Sequence, residues 1–146
     1  MEIHIGVFGI LCDNKGRVLL CHRRDVDLWN LPGGHLEQNE SPWDGVLREI
    51  KEETGLDARV ERLAGVYYKP LQNEIAFSFV CSIVSGRIAV NKEADRIEYF
   101  AEHEFPGNLS PKQVERIHDA LTNPTTVICK TQRSKSSREL LREGKL

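Results

Sequence analysis

The chain has 146 residues, of which 20 are Lys or Arg and 22 are Asp or Glu, so its formal net charge is −2. This length predicts one domain around a single core, and the nearly balanced charge disfavours a broad nucleic-acid-binding or membrane surface. The sequence has no apolar stretch of membrane-spanning length and no signal peptide. We therefore expect a cytoplasmic protein without a membrane partner.

Four cysteines are widely spaced and form no C-x-x-C pair: Cys12, Cys21, Cys81 and Cys129. Three of them lie in apolar runs, which favours buried free thiols in a reducing compartment over disulfides or a zinc site.

The N-terminal region predicts a β-hairpin. Apolar runs over residues 3–13 and 17–23 predict two strands, and Asn14-Lys15-Gly16 between them is a typical turn sequence. Arg23 and Arg24 end the second strand, where their guanidinium groups either clamp a phosphate in bidentate fashion or are simply solvated.

A helix is predicted from Ser41-Pro42 to the stop at Gly55, because serine is a good N-cap, proline suits the first helical position and glycine suits the residue after the end. Asp44 completes a box-like pattern with the serine. Helical periodicity predicts an inward stripe of Trp43, Val46, Leu47 and Ile50.

This helix carries more negative charge than folding requires. Glu49, Glu52 and Glu53 are related by i, i+3 and i, i+4 spacing, so their carboxylates repel one another on one helical turn. Mg²⁺ or Mn²⁺ would relieve that repulsion, because both prefer carboxylate oxygen. Arg48 can orient a carboxylate, and Glu40 adds another before the N-cap. A solvated acidic face neutralised by Arg and Lys is the simpler alternative.

The remaining elements alternate. Strands are predicted over residues 58–69, 74–84 and 96–100, with a short piece over 87–90. Ser110-Pro111 predicts the start of a second helix with Gln113 at the box position and an inward stripe of Val114, Ile117, His118 and Leu121. This order suits a mixed sheet between helices, an α/β fold.

The C-terminal residues differ in composition. Residues 130–146 contain six Lys or Arg and two Glu, a charge of +4. We therefore divide the chain into a domain over residues 1–129 and a basic extension over 130–146. The extension is either an arm that touches a nucleic acid or acidic partner, or a solvated or self-docking segment.

Residues 34–56 resemble the Nudix box, G-x5-E-x7-R-E-U-x-E-E-x-G-U with U aliphatic, at each of its nine fixed positions: Gly34, Glu40, Arg48, Glu49, Ile50, Glu52, Glu53, Gly55 and Leu56. The flanking Leu28–Gly34 and Ile97–Pro106 are also similar to the family, so the resemblance extends over residues 3–122. It implies a Nudix α/β/α sandwich with a mixed sheet, in which the box forms the catalytic helix.

The resemblance implies metal-dependent hydrolysis of the diphosphate linkage of a nucleoside diphosphate derivative or nucleoside triphosphate, by attack of water on phosphorus. Glu52 and Glu53 are the preferred metal ligands, and Glu49 is a third ligand or the general base. The Gly34 carbonyl and an acidic residue outside the box complete the set, with Glu93 the first candidate and Glu74 the second. Glu40 either completes the outer shell or holds the loop.

Two alternatives of the same fold are open. A non-catalytic ligand-binding module would be expected to lose box carboxylates or Arg48, and this chain keeps them. An isoprenoid diphosphate isomerase would need an additional catalytic cysteine and glutamate. The expected partner is a small nucleotide or diphosphate substrate, stacked on an aromatic side chain if the strand aromatics are not all in the core, and a homodimer through the edge strands is also open.

Overall fold

The computed structural model describes residues 2–146. Its elements in chain order are β1 (His4–Leu11), β2 (Val18–Arg23), β3 (Trp29–Asn30), β4 (Gly33–His35), α1 (Pro42–Thr54), β5 (Leu56–Lys69), β6 (Glu74–Gly86), β7 (Ala94–Phe100), a 3₁₀ turn (Glu102–Glu104), α2 (Pro111–Thr122), β8 (Ile128–Thr131) and α3 (Ser137–Arg142). The predicted α/β fold is confirmed.

The strands form two sheets. The larger sheet has the order β4-β1-β6-β5-β8 and is mixed, since β1 pairs in parallel with β6 and β5 pairs in parallel with β8. The smaller sheet has the order β3-β2-β7 and is antiparallel. β4 therefore lies at the edge of the large sheet, directly beside β1.

The prediction of a simple β1–β2 hairpin was wrong. A tight turn does join the two strands, with Gly16 at φ +76° and the Asp13 N–H donating to the Arg17 carbonyl. The strands separate after one bridge between Cys12 and Val18 and enter different sheets. The turn signal is local, whereas the partners β6 and β7 are distant in sequence.

Side chains of β1 and β2 alternate between two cores, as the two-residue period of a strand requires. Val7 and Leu19 pack in a core with α1, whereas Ile10 and Leu20 pack in a second core with α2. A Cβ at Gly9 would lie 2.7 Å from Ile50 Cδ1, so glycine at this position lets α1 approach β1 closely. The helices thus cover opposite sides of the sheets.

The predicted inward stripes were wrong in part. On α1 the buried residues are Gly45, Val46, Glu49, Ile50 and Thr54, whereas Trp43 is 59% exposed. The buried face of α1 therefore includes Glu49 and excludes Trp43. On α2, His118 is exposed and Arg116 is buried, because the Gln132 Oε1 accepts from Arg116 Nε at 3.0 Å.

Two further local predictions need correction. Residues 87–90 form no strand, although the Ala89 N–H donates to the Thr54 carbonyl. Cys21 and Cys81 are buried as predicted, but Cys12 and Cys129 are exposed; all four are free thiols. Within residues 2–146, no helix is long and apolar enough to cross a bilayer.

The C-terminal segment packs on the rest of the chain. The boundary predicted between residues 129 and 130 falls inside β8, which pairs with β5 from Ile128 to Thr131. Gln132 is buried, and its Nε2 donates to the Lys112 carbonyl at 3.0 Å. Residues 130–132 therefore pack on the rest of the chain, and contact of the basic extension with a nucleic acid or an acidic partner stays a prediction.

Candidate active site

The helix α1 holds the acidic residues in place through its two caps. The Ser41 Oγ accepts from the Asp44 N–H at 3.0 Å, and Gly55 ends the helix at φ +83° with its N–H donating to the Lys51 carbonyl. Ser41 and Gly55 thus cap the helix as predicted. The second half of α1 runs alongside β4, which brings Glu49 and Glu53 next to Gly33 and Gly34.

Three carboxylates converge beside β4. Oxygen atoms of Glu49, Glu53 and Glu93 all lie within 4.8 Å of one another. Glu49 and Glu53 are one helical turn apart, which places both on one face of α1. Glu52 is not part of this cluster; its side chain is 46% exposed and its carboxylate accepts from Arg48 Nη1 at 3.2 Å. Among the predicted ligands, the structure thus groups Glu49, Glu53 and Glu93 and leaves Glu52 at the rim.

Glu93 reaches the cluster because Asn91 shapes the preceding loop. Asn91 Oδ1 accepts from the N–H groups of Glu93 and Ala94, both at 2.9 Å, and its Nδ2 donates to the Glu53 carbonyl at 2.7 Å. This side chain folds a turn and fastens it to the end of α1. Asn91 was not among the predicted site residues, although an asparagine two residues before an acidic candidate is a recognisable turn signal.

The cluster is electrostatically unfavourable for carboxylates alone. Burial raises the pKa of Glu53 to about 8, opposed by the Gly33 N–H that donates to its Oε2 at 3.1 Å and assisted by the charges of Glu49 and Glu93. Burial also raises the pKa of Glu49, opposed by Arg48. A divalent cation fits this donor set, because hard oxygen ligands gathered at short distance are what Mg²⁺ and Mn²⁺ prefer.

Arg48 connects four groups around the cluster. Its Nε and Nη2 donate to the two carboxylate oxygens of Glu40, and its Nη1 donates to Glu49 at 3.0 Å and to Glu52 at 3.2 Å. Nη2 also lies 3.3 Å from the His35 carbonyl. The hydrogen bond from Arg48 lowers the pKa of Glu40. Glu40 therefore holds the arginine and stays outside the carboxylate cluster.

Glycines line the other side of the cluster. A Cβ on Gly34 would lie 2.7 Å from Glu49 Oε1, and a Cβ on Gly33 would lie 2.2 Å from the Val7 carbonyl oxygen. Gly34 is thus pressed against a carboxylate of the cluster, whereas Gly33 is pressed against the backbone of β1. Glycine at these positions is required by close approach, since neither residue has a positive φ.

A cavity of about 640 Å³ opens beside the cluster. Glu53 and Glu93 line it together with Arg23, Arg24 and Lys92, so acidic and basic groups face one space. Both predicted arginines have partners within the protein: Arg23 Nε and Nη2 donate to Asp25 at 2.8 and 2.6 Å, and Arg24 Nε donates to the Asn91 carbonyl at 2.5 Å. The hydrogen bonds from Arg23 lower the pKa of Asp25 to about 2.

Other candidates lie elsewhere. Glu74 is buried between His35 Nε2 at 2.8 Å and Lys69 Nζ at 2.6 Å, away from the carboxylate cluster. Trp29 is in the core against Phe100, with ring centroids 5.0 Å apart. Phe8 is the aromatic side chain that lines the cavity. It was not among the predicted candidates, because a phenylalanine within a strand is usually a core residue.

Comparisons with known proteins agree with this geometry. The model of the NUDIX domain family matches residues 2–121. A MutT-like protein of Streptomyces ambofaciens is 33% identical over 117 residues, which cover 80% of this chain and 76% of that protein. An ADP-ribose pyrophosphatase of Methanocaldococcus jannaschii is 32% identical over 109 residues, 70% of this chain and 64% of the relative.

A crystal structure of a UDP-X diphosphatase matches with a TM-score of 0.77 and 28% identity, over 88% of this chain and 68% of the other. The residues that the family model matches contain α1, all of α2 except Thr122, and the whole carboxylate cluster. The C-terminal residues beyond 121 lie outside the family model.

Proposed function

The chain belongs to the NUDIX domain family and is a pyrophosphohydrolase acting on the diphosphate linkage of nucleotides, and we propose that its active centre is the carboxylate cluster of Glu49, Glu53 and Glu93. The observation that carries this proposal is the convergence of the three carboxylates within 4.8 Å, at the wall of a cavity that basic side chains also line. One bound cation would neutralise the repulsion among the three carboxylates and would attract the phosphate groups of a substrate.

In this proposal Glu53, Glu93 and the Gly34 carbonyl hold Mg²⁺ or Mn²⁺, Glu49 lies beside the ion as the general base, and Glu52 supplies an outer ligand at the solvent side. The bound cation supplies positive charge to the phosphate oxygens and acidifies water. Gly34 is suited to this role because it lies against the Glu49 carboxylate. Arg48 and Glu40 act through Glu49, whose orientation they fix.

We assign proton transfer to Glu49. Its Oε1 accepts from Arg48, whereas no donor within residues 2–146 reaches its Oε2. That second oxygen is free to accept the proton of the attacking water.

We assign binding of the substrate's phosphate groups to Arg23, Arg24 and Lys92. All three line the cavity, and a guanidinium matches two phosphate oxygens at once. Arg23 is held ready by Asp25 through two hydrogen bonds, which reduces the entropy lost when it binds a substrate.

For the substrate, we propose a nucleoside diphosphate linked to a second moiety, with nucleoside triphosphates as the other class. The two relatives named for ADP-ribose and for UDP-X support this choice. The buried free thiols of Cys21 and Cys81 suit a cytoplasmic location. A homodimer would use the exposed edges of the sheets, and light scattering of the purified protein tests it.

The test is product analysis with ADP-ribose, UDP-sugars, dinucleotides and nucleoside triphosphates, each with Mg²⁺, with Mn²⁺ and with chelator. We expect metal-dependent release of a nucleoside monophosphate from one class. The Glu53→Gln variant is the expected inactive control, because it removes a ligand charge but keeps the size of the side chain. Turnover that persists in chelator, or that the variant retains in full, would contradict the assignment.

A further inference from the structure

The C-terminal segment, residues 133–146, reaches the active-site cavity although it lies outside the family model. The model ends at residue 121, and α3 follows at Ser137–Arg142. Ser137 nevertheless lines the same cavity as Glu53, Glu93 and Phe8. Part of the wall of the cavity is therefore made by a segment that the family pattern does not include.

Specific contacts hold this segment against the cavity. Arg138 Nη2 lies 2.6 Å from Asp25 Oδ2, across 113 positions of sequence. The Asp25 carboxylate also receives both hydrogen bonds from Arg23. One carboxylate thus joins α3 to the arginine that we assign to phosphate binding.

The segment is also ordered internally. Ser136 and Glu139 form a reciprocal capping box at the start of α3, and Lys135 Nζ pairs with the Glu143 carboxylate at 2.6 Å. The Lys112 Nζ on α2 lies 3.3 Å from the Lys135 carbonyl. These contacts fix the backbone on both sides of Ser137 relative to the cavity.

The Ser137 hydroxyl has no hydrogen-bond partner within residues 2–146, and Ser137 lines the same cavity as Phe8. We propose that residues 133–146 determine which substrates the enzyme accepts, with Ser137 contacting the part of the substrate remote from the diphosphate and the Arg138–Asp25 pair positioning it. This inference rests on the proposed function, since it concerns the same cavity. It predicts that the segment limits the size of the moiety attached to the nucleotide.

Four full-length variants test it: Ser137→Phe, Arg138→Glu, Arg138→Lys and Arg142→Glu. Ser137→Phe narrows the cavity, and Arg138→Glu replaces an attraction to Asp25 by a repulsion. Arg142→Glu is the matched control, because Arg142 lies one turn further along α3, is exposed and has no ion pair among the described residues. Arg138→Lys, which keeps the positive charge, should retain the selectivity of the wild type.

The readout is the ratio of kcat/KM for a nucleoside triphosphate and for a nucleotide sugar. We expect Ser137→Phe and Arg138→Glu to change this ratio by about tenfold or more, the effect of small changes in the shape of a binding site, with Ser137→Phe acting against the larger substrate. A merely structural role of Arg138 would lower both values of kcat/KM in parallel. Equal ratios in the wild type, Arg138→Glu and Ser137→Phe would overturn the proposal.

Thermal stabilisation by the same compounds is the second readout, because a ligand that binds the native state raises Tm whether or not it is cleaved. If the wild type cleaves none of them but binding selectivity changes in Arg138→Glu and not in Arg142→Glu, the proposed hydrolysis fails and the present inference holds. If hydrolysis occurs but Arg138→Glu and Ser137→Phe leave the selectivity unchanged, the proposed hydrolysis holds and the present inference fails. Absence of both turnover and stabilisation would overturn both.

Discussion

The guanidinium of Arg48 donates to both carboxylate oxygens of Glu40, from Nε at 2.7 Å and from Nη2 at 2.9 Å. Its remaining nitrogen, Nη1, donates to Glu49 Oε1 at 3.0 Å. The planar fork of arginine allows the two bonds to Glu40 and the bond to Glu49 to form at once. Glu40, eight residues before the arginine and outside the helix, therefore fixes the direction of a carboxylate in the cluster.

Arg48→Lys should lower kcat by about tenfold to hundredfold, the usual effect of losing an outer-shell partner that orients a residue of a metal site. An ammonium is a point charge and cannot make both bonds to Glu40 while it also reaches Glu49. Steady-state kinetics with the identified substrate measures the effect. Arg59→Lys is the control, because Arg59 is 70% exposed and pairs only with Glu61. Similar kinetics for both variants would contradict the role of the fork.

The two neighbouring glycines should respond differently to alanine. Gly34→Ala places a methyl group 2.7 Å from Glu49 Oε1, the movable end of a side chain, so we expect a loss of activity with a small change in Tm. Gly33→Ala places it 2.2 Å from the Val7 carbonyl oxygen, which cannot move without shifting β1. That substitution should cost about 1–3 kcal/mol of unfolding free energy.

Gly107→Ala is the control for both, because a Cβ there meets nothing within 4 Å and its φ is not positive. Activity and urea denaturation together separate the two effects. A Gly34→Ala protein with full activity would show that Glu49 can move freely and is not positioned by the loop.

Local signals made much of the fold predictable. The start and the end of α1 follow from Ser41-Pro42 and Gly55, whose preferences act within a few residues. The pairing of β1 with β6 rather than with β2 was not predictable, because it depends on partners more than sixty residues apart. Trp43 misled the prediction of the buried face: apolar periodicity favoured it, but the site requires Glu49 to face inward instead.

The site was predictable from the box except where the tertiary structure decides. Spacing alone placed three glutamates of α1 on a single patch, whereas the structure turns Glu52 to the rim and brings Glu93 from a loop before β7. Asn91 brings Glu93 close to α1, because the Asn91 Nδ2 donates to the Glu53 carbonyl and so ties the loop to the end of the helix. A family pattern confined to residues 34–56 cannot contain this contact, nor that of Ser137 with the cavity.

Glu53→Gln should reduce turnover far more than Glu52→Gln. Glu53 is partly buried within the cluster, whereas Glu52 is 46% exposed beside Arg48. Loss of a central ligand removes several kcal/mol of transition-state stabilisation, on the order of a thousandfold in rate. Rates at saturating Mg²⁺ rank the two variants. A larger loss for Glu52→Gln would move the metal to the outer face of α1.

Metal should also stabilise the wild type selectively. A cation that binds the native state raises Tm with concentration, so Mg²⁺ or Mn²⁺ should raise the Tm of the wild type and leave that of Glu53→Gln nearly unchanged. Without metal the variant should be at least as stable as the wild type, because it removes one of three mutually repelling carboxylates. Calorimetric scans with metal and with chelator measure both differences. An equal rise of Tm in the variant would place the cation elsewhere.

His22 should make stability depend on pH. Its Nε2 lies 2.7 Å from Asp27 Oδ1 and its Nδ1 lies 2.7 Å from Asp95 Oδ1. Partial burial lowers the pKa of His22 and the charge of Arg96 opposes protonation, but the two carboxylates outweigh both and raise the pKa above its ordinary value. Both ring nitrogens can donate only when the imidazole is protonated.

A pKa that is higher in the folded than in the unfolded state stabilises the protein most at low pH. The contribution of His22 is therefore complete below the pKa of an unfolded histidine, about 6.5, and is lost as the pH rises through the raised pKa of the folded state. His22→Gln should accordingly lower the unfolding free energy more at pH 5.5 than at pH 8.5, as measured by urea denaturation. His103→Gln, at an exposed histidine in the 3₁₀ turn, should show no such difference, and a His22→Gln deficit that does not vary with pH would exclude protonation as the source of the stabilisation.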